Sequence, residues 1–224
     1  MPGTLCNKLL WSALSPLLEN GFELIYLTIP TGKSMDELAD FYNDTLGDDK
    51  INLIGFSLGG YIATYFAAKF PKHVRALFII ANSSTLLPSF EIKKREAAVK
   101  FIAKGGGLKL KEQQVNRLFD KPADNKQQVD LVMQMIRQQG ESELLSQYQH
   151  TSDRKDLAEQ LNTLSIPMWF YYSEHDPLVN ASWFKQLHLK KQLTISSTTG
   201  RGHMLPLEKP AELANHIITW AGTY

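Results

Sequence analysis

Apolar residues recur at helical spacing over Leu9, Leu10, Ala13, Leu14, Leu17 and Leu18, ahead of Asn20-Gly21, which predicts a helix with one buried face and a glycine stop. Phe22 to Ile29 is continuously apolar apart from Glu23 and Thr28, the pattern of a strand covered on both faces. Pro30-Thr31-Gly32 makes a turn, and Ser34 with Glu37 three residues on reads as a capping box opening a helix that ends by Gly47. A second apolar run, Ile51-Asn52-Leu53-Ile54, leads into Gly55-Phe56-Ser57-Leu58-Gly59-Gly60 and a helix to Phe70 that Pro71 ends. Val74 to Ala81 is the next buried strand. Strands and helices alternating in this way predict βαβ units and a parallel sheet.

The rhythm breaks at Asn82. From Thr85 to about Leu161 no strand pattern occurs, and Lys, Glu and Gln dominate with helical periodicity. Helices are expected over Glu91 to Ala103, Lys111 to Phe119, Asn125 to Gln138 and Glu141 to Tyr148, separated by Gly105-Gly106-Gly107, Lys121-Pro122 and Gly140. Ile166 to Tyr172 then restores the alternation as a strand, followed by a helix from Asn180 to Leu187, a last strand over Gln192 to Ser196 and a closing helix through Trp220. The pattern divides the chain into an α/β core, residues 1–84 and 162–224, and a helical cap insertion, residues 85–161.

Composition narrows the function classes. A chain of 224 residues is long enough for one α/β domain with an insertion. Its 24 basic and 23 acidic residues leave a formal charge of +1, so neither a nucleic-acid footprint nor an acidic partner is expected. No apolar stretch has the length of a membrane span, and no basic region followed by an apolar one opens the chain, which implies a cytoplasmic protein without a membrane partner. The one cysteine, Cys6, excludes an internal disulfide and is expected to be a packing residue.

The chemistry centres on residues 55–60. A Gly-x-Ser-x-Gly turn between a strand and a helix is a nucleophile elbow, in which the sharp turn lifts the serine hydroxyl off the end of a sheet. A Cβ at the flanking positions would collide with neighbouring backbone. A serine hydroxyl also needs a base to take its proton and a carboxylate to orient that base. In the order Ser, acid, His that accompanies such an elbow, the acid follows a late strand and the histidine follows the last one. Asp176 and His203 occupy those places. Glu174 competes with Asp176, which is preferred because Asp176-Pro177 is the better turn former. His73, His150, His175, His188 and His216 have no comparable context. Two backbone N–H groups should hold the oxyanion: Leu58, directly after the nucleophile, and Thr4, in the one early glycine-containing loop, Pro2-Gly3-Thr4. A phosphate-loop reading of Gly32-Lys33-Ser34 fails, because Leu27 stands where that motif needs its first glycine. No metal or cofactor is called for.

These residues closely resemble the α/β-hydrolase superfamily, in particular small cap-containing esterases and acyl hydrolases. The resemblance rests on Pro2 to Cys6, the elbow at 55–60, Phe70-Pro71 with Val74-Arg75-Ala76-Leu77, Ser173 to Pro177, and Gly202-His203 followed by Pro206-Leu207-Glu208 and Pro210. It covers the core and leaves the cap unmatched. It implies a serine hydrolase that cleaves an ester or thioester of a small, largely apolar acyl group through an acyl-enzyme. Ser57 argues against the dehalogenase and epoxide hydrolase relatives, which place an aspartate there. C–C hydrolases, acyltransferases, lyases and peroxidases share the pattern, and a non-catalytic binding protein is the reading from another class. Two departures stand out. Thr28-Ile29-Pro30-Thr31 lacks the Asp-x-Pro-Gly of relatives. Relatives also carry a strand, ahead of the oxyanion loop, that lies beside the nucleophile strand, and this chain starts after it. Three outcomes are expected from that gap: a truncated start, a strand at 22–29 that moves in to pair with 51–55, or a second chain, as in a homodimer, that covers it.

Overall fold

Four parallel strands make one sheet in the order β1-β2-β3-β4: β1 (Ile51–Phe56), β2 (Val74–Ile80), β3 (Met168–Ser173) and β4 (Leu193–Thr198). The computed structural model describes residues 1–47, 49–108, 110–188 and 191–223. The helices among them are α1 (Ser15–Leu18), α2 (Met35–Leu46), α3 (Leu58–Lys69), α4 (Ser89–Ala103), α5 (Glu112–Asn116), α6 (Lys126–His150), α7 (Ala158–Thr163), α8 (Leu205–Glu208) and α9 (Pro210–Gly222). None is long and apolar enough to cross a membrane.

Strand periodicity sorts the core into two layers. Successive side chains of β2 point to opposite faces: Leu77 and Ile79 join Leu38 and Tyr42 of α2, Ile62 and Phe66 of α3, and Phe170 and Trp183. Ala76, Phe78 and Ile80 join Leu10, Leu14, Leu18, Tyr171 and Trp220 on the other side. The second layer continues into the stretch between β2 and β3 through Val129, Met135 and Leu144 of α6. Each fully buried aliphatic or aromatic side chain is worth about 1.5–3 kcal/mol, so a sheet filled on both faces holds the loops at its carboxyl end in place.

α4, α5, α6 and α7 lie between β2 and β3, in the stretch where helical periodicity replaces strand pattern. α6 runs through both helices expected at 125–148. Gly140, at φ +77°, breaks its helical geometry at the expected separator. The Ser34 capping box is present, with Glu37 Oε2 accepting from the Ser34 N–H at 2.8 Å.

Three expectations are corrected. The long first helix is replaced by a 3-10 turn over Lys8–Trp11, capped by Asn7, and the single turn α1, because Pro16 has no N–H with which to continue a helix from the preceding residues. The helix expected at 180–187 is a 3-10 helix over Ala181–Gln186. Phe22 to Ile29 forms no strand: it has no regular secondary structure and is half-buried or exposed, with Ile25 at 69% exposure. The outer edge of β1 is instead engaged by Met1, whose carbonyl accepts from the Phe56 N–H at 3.1 Å and whose buried amino group donates to the Ile54 carbonyl at 2.7 Å. A cleft of about 430 Å³, lined by Leu14, Leu18, Leu24, Tyr26, Leu53 and Trp220 among others, separates 22–27 from the rest of β1. Strands must approach to about 4.8 Å to share a ladder, so the pairing of 22–29 with 51–55 does not occur.

Candidate active site

The elbow is built by close backbone approach. Ser57 follows β1 and precedes α3 with φ 51° and ψ −117°, a conformation that an L residue adopts only under constraint. Its N–H donates to the Ile80 carbonyl at 3.0 Å, and its carbonyl accepts from the Tyr61 N–H at 3.1 Å. A Cβ at position 55 would run into the backbone of Gly59 and Gly60, and one at position 59 into the carbonyls of Met1 and Pro2. Glycine at these two positions is therefore what allows strand, helix and N-terminal loop to meet at Ser57.

Asp176 and His203 reach Ser57 from the two strands farther along the sheet. After β3, the Asp176 N–H donates to the Ser173 carbonyl at 3.0 Å and Asp176 Oδ1 accepts from the Leu178 N–H at 2.9 Å, which fixes the carboxylate plane. Asp176 Oδ2 lies 2.7 Å from His203 Nδ1. After β4, the His203 N–H is held by the Leu118 carbonyl at 2.7 Å, and His203 Nε2 lies 3.0 Å from Ser57 Oγ. Asp176 and His203 are buried, at 5% and 4% exposure, so little water screens their pair. With Nδ1–H donated to the carboxylate, Nε2 is left as an acceptor for the serine hydroxyl proton. Glu174, the competing acid, is exposed and lies beside the Ser197 hydroxyl at 3.5 Å.

The N-terminal loop closes the other side. A Cβ at Gly3 would come to 3.2 Å from Ser57 Cβ and 2.9 Å from the Phe56 ring, so Gly3 lies against the elbow. Leu58, first residue of α3, has an N–H with no carbonyl partner in its own helix. Leu5, at φ 54°, donates its N–H to Gln147 Oε1 of α6 at 3.0 Å. Cys6 is buried, and burial pushes its thiol up to about 12. Beside this loop opens a cleft of about 500 Å³ lined by Cys6, Leu9, Tyr26, Ile29, Gln138 and Gln147 among others; Ser57, Asp176 and His203 are not in its wall. Among the described residues, no group of three or more His, Cys, Asp or Glu is placed to hold a metal ion.

Two contacts to the site carry no signal in the sequence. Gln147 is one of many glutamines in the insertion, and Leu118 acts through its carbonyl, which every residue possesses.

Comparison with known proteins agrees with this architecture. A solved thermophilic esterase from Thermogutta terrifontis superposes with a TM-score of 0.81 at 20% identity, covering 99% of this chain and 88% of that one. The enol-lactonase from Burkholderia xenovorans LB400 gives a TM-score of 0.81 at 12% identity, with 99% and 89% covered. MenH from S. aureus gives 0.78 at 16% identity, with 100% and 92% covered. At these identities the likeness is one of fold. In sequence, the subunit PhaC of the poly(3-hydroxyalkanoate) polymerase of Haloferax mediterranei is 32% identical over 84 residues, 31% of this chain and only 17% of that relative's length. The model of the alpha/beta hydrolase fold family matches residues 30–210, a span that includes the elbow, β1 to β4 and both residues that converge on Ser57, and the chain therefore belongs to that family.

Proposed function

We propose that the protein is a serine hydrolase that cleaves a carboxylic ester or thioester of a small, largely apolar acyl group. The observation that carries this reading is the unbroken chain from Asp176 Oδ2 to His203 Nδ1, 2.7 Å, and from His203 Nε2 to Ser57 Oγ, 3.0 Å. Ser57 Oγ gives its proton to His203 Nε2 and attacks the acyl carbon, while the Leu58 and Thr4 N–H groups receive the charge on the carbonyl oxygen. Asp176 stabilises the imidazolium. The leaving alcohol or thiol takes the proton from Nε2 as the tetrahedral intermediate collapses to the acyl-enzyme, and a water activated by the same nitrogen releases the acid. Residues 85–161 act in this reading as a cap over the core, 1–84 and 162–224.

Labelling with a fluorophosphonate probe tests the nucleophile, with Ser57→Ala as control. The reading expects one label on Ser57 that is absent from the variant; a folded protein that stays unlabelled sinks it. A panel of p-nitrophenyl esters and acyl thioesters of increasing chain length then defines the acyl group. A second reading, transfer of the acyl group to an acceptor other than water, draws support from the 84-residue stretch similar to a polymerase subunit. Products formed with and without an added alcohol separate it from hydrolysis.

A further inference from the structure

The insertion between β2 and β3 is tied by backbone hydrogen bonds to the loop that carries His203. The His203 and Met204 N–H groups both donate to the Leu118 carbonyl, at 2.7 and 3.3 Å. The Arg201 N–H donates to Asp120 Oδ1 at 3.0 Å, and the Asp120 N–H donates to Glu208 Oε1 at 2.8 Å. Asp120 thus grips the loop on both sides of His203, accepting from residue 201 and donating to residue 208.

Glu208 is placed at a cost that packing alone does not explain. Its Oε2 is buried with no hydrogen-bond partner among the described residues, and it presses on Gly202, where a Cβ would run into the carboxylate. Burial raises the pKa of this carboxyl above its ordinary value, the backbone bond from Asp120 offsetting only part of the effect. A buried polar atom left unpaired is destabilising, so its retention calls for a reason. The Gly202 carbonyl accepts from the Ser173 hydroxyl. The residue before His203 is therefore held between β3 and Glu208.

We propose that Asp120 and Glu208 are positioning residues, a latch through which the insertion sets the distance from His203 to Ser57. The inference rests on the triad reading above. Neither side chain bonds to the reacting atoms: Asp120 holds the Arg201 N–H, while Glu208 holds the Asp120 N–H and packs on Gly202. The latch makes proton transfer depend on the seating of the 118–120 segment, so that the part of the chain outside the α/β core is coupled to the base.

The test uses the whole protein and p-nitrophenyl acetate turnover, expressed per folded molecule, over a pH series. Asp120→Ala and Glu208→Ala each remove one acceptor of the latch. Each is expected to lower kcat by about 10- to 100-fold with KM within about threefold, and to move the acid limb of the kcat/KM profile, because a shift of the order of 1 Å in the base has that effect on rate. Glu208→Gln and Asp120→Asn keep an acceptor oxygen and should restore kcat to within about threefold of wild type. Folded Ala variants with wild-type kcat and an unmoved acid limb overturn the latch, as does a loss that merely follows the unfolded fraction. If Glu208→Ala does not fold, the pair Asp120→Ala and Asp120→Asn decides. Ser57→Ala separates the two levels: its retention of wild-type turnover removes the triad reading, whereas an inactive Ser57→Ala beside a fully active Asp120→Ala removes the latch alone.

Discussion

The Phe56 ring lies against the His203 imidazole, with centroids 5.1 Å apart and planes inclined by 47°. Phe56 is the last residue of β1 and is 1% exposed, so the side chain just ahead of Ser57 also packs the His203 ring. Phe56→Leu keeps an apolar filling but loses the flat face. It is expected to cost less than about 1.5 kcal/mol in stability and about tenfold in kcat, whereas Phe56→Ala opens a cavity costing about 3–5 kcal/mol. Urea unfolding with kcat on the same samples checks this; a Phe56→Leu protein with undiminished kcat would show that the ring does not orient the imidazole.

The three groups that converge at Ser57 should fail together. Ser57→Ala and His203→Ala are each expected to reduce kcat on an activated ester by about 10⁴-fold or more, and Asp176→Asn by about 10⁴-fold through loss of the correct imidazole tautomer. The double variant Ser57→Ala/His203→Ala should be no slower than either single one, because the residues act as one unit. Initial rates at saturating substrate give the comparison. Multiplicative losses in the double variant would mean that the two side chains act independently.

The oxyanion assignment is tested through Gly3, since truncating the Thr4 side chain would leave its backbone donor in place. A Cβ there would come to 2.9 Å from the Phe56 ring and 3.2 Å from Ser57 Cβ, so Gly3→Ala must push the Pro2-Gly3-Thr4 loop away from the elbow. Withdrawal of the Thr4 N–H predicts a kcat loss of about 10²-fold or more with little change in KM, as expected for a donor that acts on transition-state charge. A Gly3→Ala enzyme with wild-type kcat would place the second donor elsewhere.

These expectations were legible in the sequence to different degrees, for a physical reason. Ser57 sits in a local pattern, strand, glycine-flanked turn and helix, that is complete within ten residues, and Asp176 and His203 each follow a short apolar run that reads as a strand by itself. The run at 22–29 reads as a strand equally well, yet a strand exists only if a second edge lies within ladder distance, and a cleft separates this segment from β1. Periodicity reports which residues can be buried, not which edges meet. Leu118, Asp120 and Gln147 were illegible because they bond to the N–H groups of His203, Arg201 and Leu5 through one carbonyl, one carboxylate and one amide, set by how the stretch between β2 and β3 folds back.

Asp156 offers a pH-dependent test of that folding back. Its carboxylate accepts from the Thr85 hydroxyl at 2.7 Å, the Trp183 indole N–H at 2.9 Å and the Ala158 N–H at 2.9 Å, joining the residues before α4, the 3-10 helix after β3 and the first turn of α7. Burial alone would raise its pKa, but the bonds from Trp183, Ala158 and Thr85 outweigh it and hold the carboxyl below its ordinary value of 3.8. A depressed folded-state pKa contributes stability that is present above the unfolded value and is lost as pH falls through the folded one. Asp156→Asn removes the charge, so the stability gap between wild type and variant should be widest at neutral pH and should close as pH drops below about 4. Asp156→Ala goes further: it strands the indole N–H of Trp183, a residue 1% exposed, and is expected to cost about 1–3 kcal/mol. Urea unfolding of the three proteins at pH 7 and pH 3 measures both effects. A gap between wild type and Asp156→Asn that stays constant or widens toward acid would mean that the three donors do not favour the charged carboxylate.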